Sequence, residues 1–572
     1  MKSVAEPVGF AVSVRFVMLL SVFAQAMVPL DGLTVYVGVV LILWRPLRFF
    51  AAAVFSVQAF DERRVSLVAV LSFGVILCAL LIVVVWVCHF DFLSSSVERN
   101  RRPAIRIRLT GKHKATPSLQ SEILLAALSL NHPLLKSPST LVLAAVFTTL
   151  VVLKPAHAQH DMSHMPAMGP ALPLGIPLSR LGSGTSWLPD SSPMRGGHFS
   201  VGDWSLMLHG AAYGQYDHQN GFRRETQPGL IDWEMLMAMR PMAGGLFRFN
   251  VMTSFEALVL GPQGYPQLLQ TGGTYHGARL VNHQHPHDLV SELAAVYDHS
   301  LTGRVAASVY AGVVGEPALG PVSYMHRPSA AGDPFAPLGH HWQDASHESF
   351  GVITLGLFTH ALKVEGSVFN AREPDWYHYN LDYTGARLDS YSGRVTLLPG
   401  AGLAVSAWAG YLMAHDRLET PIGMQRYGAS ILAENEIAGR RWSSAAIWGV
   451  NIHHHGSREH NHDPNATNLK FYHVSASALL ETTVQVTKRS ELYARLEQVS
   501  KSGDELGFLG GDLTQLFTIR SLSLAASRDF FSLGPAAIGL GVRGSLNLLP
   551  ETLRLTYQGT TTTGYSAFVR VR

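Results

Sequence analysis

Sixteen stretches of alternating apolar and polar residues, joined by connectors that are short and long in turn, constrain this chain more than any other feature. Over 204–216 one face carries Trp204, Leu206, Leu208, Gly210 and Ala212, and the other Ser205, Met207, His209, Ala211, Tyr213 and Gln215. Over 362–369 Leu362, Val364, Gly366 and Val368 oppose Lys363, Glu365, Ser367 and Phe369. Leu492, Ala494 and Leu496 oppose Tyr493, Arg495 and Glu497, and Tyr565, Ala567, Val569 and Val571 oppose Ser566, Phe568, Arg570 and Arg572. A period of two marks a half-buried strand.

Such segments place strands near 204–217, 230–241, 246–260, 289–299, 304–314, 349–360, 362–372 and 388–398. They continue near 403–415, 426–437, 440–455, 470–487, 490–502, 515–529, 537–548 and 564–572. The segment 289–299 also fits a helix, since Leu289, Glu292, Leu293 and Val296 would share one face. Long connectors are expected near 218–229, 261–288, 315–348, 373–387, 416–425, 456–469, 503–514 and 549–563. An even strand count with turns alternating in length implies an all-β fold, a transmembrane antiparallel β-barrel of about sixteen strands over 203–572. A closed sheet pairs every backbone group at membrane depth. A soluble β-sandwich would not need Trp204, Tyr216, Trp233, Tyr411, Trp442, Trp448 and Phe530 at strand ends, where aromatic girdles lie. The last residue is Arg572 rather than an aromatic; Phe568 is the nearest. Met235, Met237 and Met239 share a face with Ile231 and Trp233, against Asp232, Glu234 and Arg240, and are expected to face lipid.

Residues 140–159, TLVLAAVFTTLVVLKPAHAQ, follow Lys136 and hold Ala156-His157-Ala158. A charged start, a short apolar middle and an A-x-A end make 131–158 a secretory signal cleaved after Ala158. The alternative is one more membrane helix. Residues 1–130 hold apolar runs near 16–30, 33–44 and 65–88 with Arg and Lys on both sides of the last. They are expected to be a helical or disordered extension, preceding a misassigned start codon or serving as a membrane anchor. The Gly/Pro-rich lead 159–202 is expected to be disordered. Cys78 and Cys88 both precede the cleavage point, so disulfides cannot hold the rest. A formal net charge of +3 over 572 residues gives no electrostatic case for nucleic acid.

Four groups could carry chemistry. His160, Met162, His164 and Met165 offer imidazole and thioether donors suited to soft copper, Cu(I) above all. His283, His285 and His287 would fall on one side of an extended stretch and, with Asp288, suit zinc or Cu(II). Arg327, His340, His341, Asp344 and His347 lie in the longest connector, 315–348. In sixteen-stranded porins, which this layout resembles, the third long loop folds inward, so these residues would line a constriction. Glu365, Arg495 and Glu497 would line the pore wall. The run His453-His454-His455, with His460, His462 and Asp463, is an exposed metal-binding tract of low specificity. For each group the rival is a polar set that knits loops together without a ligand.

The strings HPHDL (285–289), GEPALGP (315–321), MHRPSA (325–330), GHHWQDASH (339–347) and FNAREPD (369–375) resemble an uncharacterised His-rich group of bacterial outer-membrane β-barrel proteins. The Met/His leader is similar to that of copper-resistance outer-membrane proteins. The resemblance implies a barrel and no established reaction, so no catalytic residue is carried over. The expectation is a bacterial outer-membrane channel, not an enzyme, handling small polar solutes or ions, copper or zinc among them. Its other partners would be outer-membrane lipid and further copies of itself. The alternative is an outer-membrane enzyme acting on lipid or lipopolysaccharide through Ser346, His347 and Asp344, although no G-x-S-x-G elbow follows the signal.

Overall fold

The computed structural model describes residues 171–381, 387–413, 423–455, 471–508 and 514–572, together with two paired dipeptides, Leu33–Thr34 and Gln58–Ala59. The signal, the rest of the extension and the Met/His leader lie outside the described residues, as does the tract from 456 to 470.

Sixteen antiparallel strands close into one barrel. They are β1 Trp204–Gln219, β2 Glu225–Met242, β3 Gly245–Thr253, β4 Val290–Ser300, β5 Ala306–Gly315, β6 Ser349–Phe358, β7 Leu362–Asn370 and β8 Ser390–Gly400. The second half is β9 Leu403–Leu412, β10 Met424–Ile437, β11 Arg440–His455, β12 Phe471–Thr487, β13 Ser490–Ser502, β14 Leu516–Leu533, β15 Ala536–Leu548 and β16 Thr561–Val571. Each strand pairs with the next in sequence. β16 closes on β1, with Tyr565 opposite His218 and Val571 opposite Ala212. A short strand, Gly197–Val201, takes the remainder of that edge of β1, from Gly197 opposite Leu208 to Val201 opposite Trp204.

The alternation sorts as read. Leu355, Leu357, Val364, Val368, Leu492, Leu496, Leu540 and Val569 are exposed on the outer face. Their neighbours Lys363, Glu365, Arg495, Glu497 and Arg570 are buried inside. The outer surface along these strands is thus apolar.

Five expectations need correction. The third strand ends at Thr253, and Glu256–Leu260 is a short helix rather than its continuation. The long connector expected near 218–229 is a short one, between Gln219 and Glu225. The lead is folded from residue 171, where Leu172, Ile176 and Trp187 are buried. Finally, Met235, Met237 and Met239 point inward and are buried, while Leu236 faces out. The methionines pack in one core with Leu172, Ile176, Trp187 and Leu188 of that lead. A period of two defines two faces; which one is apolar inside depends on what fills the lumen. Trp233 also turns inward, with its ring 4.4 Å from that of His326, so it is no girdle residue. The ambiguous segment is a strand, Val290–Ser300.

Leu355 lies opposite Gly366, near the middle of β7. Leu355→Arg would set a charge against lipid and is expected to cost about 2–4 kcal/mol. Denaturant unfolding of the refolded barrel in vesicles checks this.

Candidate functional site

Three pieces of the chain fill the barrel. The lead enters from the short-turn end. Arg180 Nη1 donates to His360 O in the β6–β7 turn at 2.7 Å, and Ser191 N to Ala401 O in the β8–β9 turn at 2.9 Å. Deeper in, Ser183 Oγ accepts from Ser323 N at 2.8 Å, joining the lead to the β5–β6 loop. That loop crosses the lumen. Trp342 Nε1 reaches Ser475 Oγ on β12 at 2.7 Å, and Gly339 N reaches Glu497 on β13 at 3.1 Å. Above it lies a hairpin from the β3–β4 loop, Tyr265–Tyr275 paired with Ala278–Gln284. Gln267 and Gln270 of the hairpin donate to Ala336 O and Pro337 O of the crossing loop. A void of about 10 Å³ between Gln267, Leu338, Glu497 and Arg543 has room for about one water.

The residues expected to line a pore are inside and already engaged. Arg327 Nε meets Glu481 at 2.6 Å and its Nη1 meets Asp344 at 3.0 Å. Arg495 meets the other oxygen of Glu481 at 3.2 Å. Glu365 holds Lys363 at 2.8 Å and Arg394 at 3.2 Å. Lys363 and Arg394 in turn bind Thr185 of the lead. Each charge is therefore compensated where it is buried, as it must be.

The histidines separate into two sets. His283 leaves the others and pairs with Glu225 at 3.1 Å. The expectation that it shares one side with His285 and His287 is corrected: His287 turns to Glu256, and His285 donates to Pro286 O at 3.1 Å beside His341. The hairpin strand ends at Gln284, so His285 and His287 lie beyond the extended run that would have aligned them with His283.

Six rings then collect between the loops: His285, His287, His340, His341, His347 and His378. Ring centres are 5.3 Å apart for His287–His347 and His340–His347, and 5.0 Å for His340–His341. His285 lies 5.7 Å from His341 and stacks on His378 at 6.4 Å. Every Nδ1 has an oxygen partner. His287 has Glu256 at 2.8 Å, His340 has Asp344 at 2.8 Å, His341 has Glu373 at 3.0 Å and His378 has Asp288 at 2.8 Å. His347 donates to Asp344 O at 2.7 Å. Nε2 of His341, His347 and His378 is buried without a partner. Imidazoles that bind metal commonly use the other nitrogen this way. As the rings stand, no three His, Cys, Asp or Glu side chains among the described residues close on one ion. Sequence reading missed His378, Glu373 and Glu256. Glu373 sits in the string FNAREPD and His378 three residues beyond it, a signal that was present but unweighted.

Ser346 does not engage His347. Its Oγ donates to Leu319 O at 3.4 Å, His347 turns to a backbone carbonyl, and the Asp344 carboxylate is taken by Arg327 and His340. Adjacency in sequence has not produced a nucleophile–base contact.

No protein-family model matches the chain, and no curated protein matches it. Among solved structures it is similar to Salmonella typhi OmpF in complex with daunomycin, at 11% identity and a TM-score of 0.42, over 66% of this chain and 100% of that one. It is also similar to the anion-selective porin from Comamonas acidovorans, at 11% identity and 0.40, over 64% and 99%. A third is the outer membrane channel DcaP of Acinetobacter baumannii, at 8% and 0.36, over 66% and 99%. At such values nothing about solute or activity follows.

Burial, reinforced by neighbouring imidazoles, pushes His347 well below the usual histidine range. For His287 burial acts the same way, but Glu256 outweighs it and holds the ring protonated up to about 9. A ring kept neutral by the fold contributes fully above the unfolded value, about 6.5, and loses that contribution as pH falls below it. A ring held charged contributes fully below about 6.5 and loses it as pH rises toward 9. His347→Gln is therefore expected to make the crossing loop more acid-resistant than in the unsubstituted protein. His287→Gln is expected to weaken it most at pH 6 and least above pH 9. Limited proteolysis of the 316–348 loop across pH reads both.

Proposed function

We propose that this protein is a channel of the bacterial outer membrane for small polar solutes or ions, closed in this state by its own inserted chain. One observation carries the reading. Sixteen strands enclose a cylinder wide enough for an aqueous channel, and here that width is occupied by a lead and a loop rather than by wall side chains. The loop is held to the wall by polar contacts that can exchange for water, and the lead by such contacts together with an apolar core shared with Met235, Met237 and Met239. Arg327, Asp344, Glu365, Arg495 and Glu497 would then meet the solute once the filling moves, and charged rings of this kind select ions. Planar-bilayer recordings test it. Removing residues 171–195 is expected to raise conductance at least several-fold. Arg327→Met should act in the same direction, because it removes the cation shared by Glu481 and Asp344 and leaves them to Arg495 and His340 alone. Silence in both variants, with heat-modifiable gel mobility showing closed barrels, would sink the proposal.

The unpartnered imidazole nitrogens favour a second reading, retention of a transition metal such as zinc or copper at the histidine cluster. His340, His341 and His347, with His285 and His287 and the newly found His378, would supply the donors after small ring rotations. Zinc titration of the purified protein is expected to lose an equivalent in the combined His341→Gln and His347→Gln variant. Unchanged stoichiometry and affinity would exclude that set.

A further inference from the structure

A separate donor set sits in the wall, away from the carboxylate-backed rings. On the inner face of β1, β2 and β3, His209 is directly opposite Met235, and Met235 is directly opposite Met252. Side chains opposed in this way stand about 4.5–5.5 Å apart at Cβ. Met235 and Met252 are 2% and 4% exposed. Onto this row the crossing loop lowers His326, whose Nε2 lies 3.4 Å from Met252 Sδ. The two imidazole rings are 5.7 Å apart, and the Trp233 ring lies 5.3 Å from His209 and 4.4 Å from His326.

We infer that His209, Met235, Met252 and His326 form a binding site for a soft monovalent metal ion, Cu(I) or its analogue Ag(I). This goes beyond the channel reading and does not depend on it, since binding is measured without conductance.

Four observations support the inference. First, the donor types are two imidazoles and two thioethers, and such soft donors select Cu(I). Second, the spacing fits. Nitrogen and sulfur ligands at about 2.0 and 2.3 Å from one ion lie roughly 3.5 Å from each other at ordinary coordination angles, and Met252 and His326 already stand at 3.4 Å. Third, His209 Nε2 is buried with no hydrogen-bond partner among the described residues. An orphaned polar nitrogen of this kind is costly unless something occupies it. Fourth, His326 meets a sulfur where His287, His340, His341 and His378 meet carboxylates. Glu292 of β4 stands directly opposite Met252 but is engaged by Asn250 and Tyr310, so the four donors are themselves neutral and favour a monovalent over a divalent ion in a low-dielectric interior. The indole face of Trp233 is a further neutral group that attracts a cation.

A plain N–H···S contact between His326 and Met252 is the competing account. It leaves His209 Nε2 unused and predicts no affinity for metal. Silver(I) titration of the purified full-length protein decides between them. We expect one equivalent that is weakened at least tenfold in the combined Met235→Leu and Met252→Leu variant, whose side chains keep nearly the same volume. His326→Gln should weaken it similarly, and X-ray absorption of the Cu(I)-loaded protein should lose its sulfur scatterers in the double leucine variant alone. Replacing His160, Met162, His164 and Met165 together by Ala should leave this equivalent in place. Equal silver affinity with and without the two methionines would overturn the inference. So would loss of all silver binding on changing the leader residues alone, or no silver binding by the unsubstituted protein.

Discussion

Everything in this molecule follows from the rule that a backbone N–H or C=O at membrane depth must find its partner within the protein. Sixteen strands satisfy it only when the last meets the first, and β16 does so along β1 from Gly564 opposite Gln219 to Val571 opposite Ala212. β16 stops short of the bottom of β1, and the strand Gly197–Val201 supplies the missing edge. That strand is the end of the lead that fills the barrel. Closure and filling are thus one continuous piece of chain.

Closing sixteen strands creates an interior that wall side chains cannot span. It must hold water or more protein, and in this structure it holds protein. The consequence is an inside with two characters. Toward the short-turn end the lead brings Leu172, Ile176, Trp187 and Leu188, and the wall answers with Met207, Met237, Met239, Leu246 and Val296. Toward the long loops the crossing segment brings Arg327, Asp333, Asp344 and its histidines, and the wall answers with Glu481, Arg495 and Arg543. Buried ion pairs of this sort gain little over their desolvation cost, but they are expensive to leave half made. They therefore fix where the inserted chain sits more than how tightly it is held. Among the described residues the imidazoles of His209, His341, His347 and His378 each keep a buried nitrogen without a partner, and such a nitrogen can serve as a metal ligand.

Much of this was legible in the residues. Leu362 to Phe369 and Leu492 to Glu497 separate lipid face from inner face without help, because a strand in a bilayer has one solvent on each side. The crossing of the 315–348 loop was foreshadowed only by the resemblance of the layout to sixteen-stranded porins, whose third long loop folds inward. Histidine partners were not. Glu256 and Asp288 come from one connector and Glu373 from another, and no local pattern says which carboxylate will meet which ring. His209 looked like one polar residue of an alternating strand until Met252 and His326 were brought to it from different segments.

The sequence by itself determined the barrel, its strand count and the sorting of each strand into two faces, because period two and connector length are local properties. Only the tertiary structure decided that the inner face of Met235, Met237 and Met239 is the dry one. Alternation cannot distinguish a lumen of water from a lumen of protein, and that distinction rests on Leu172 to Leu188 folding back into the cylinder. The same physics that makes the outside apolar everywhere leaves the inside to be set by whatever long-range contact fills it.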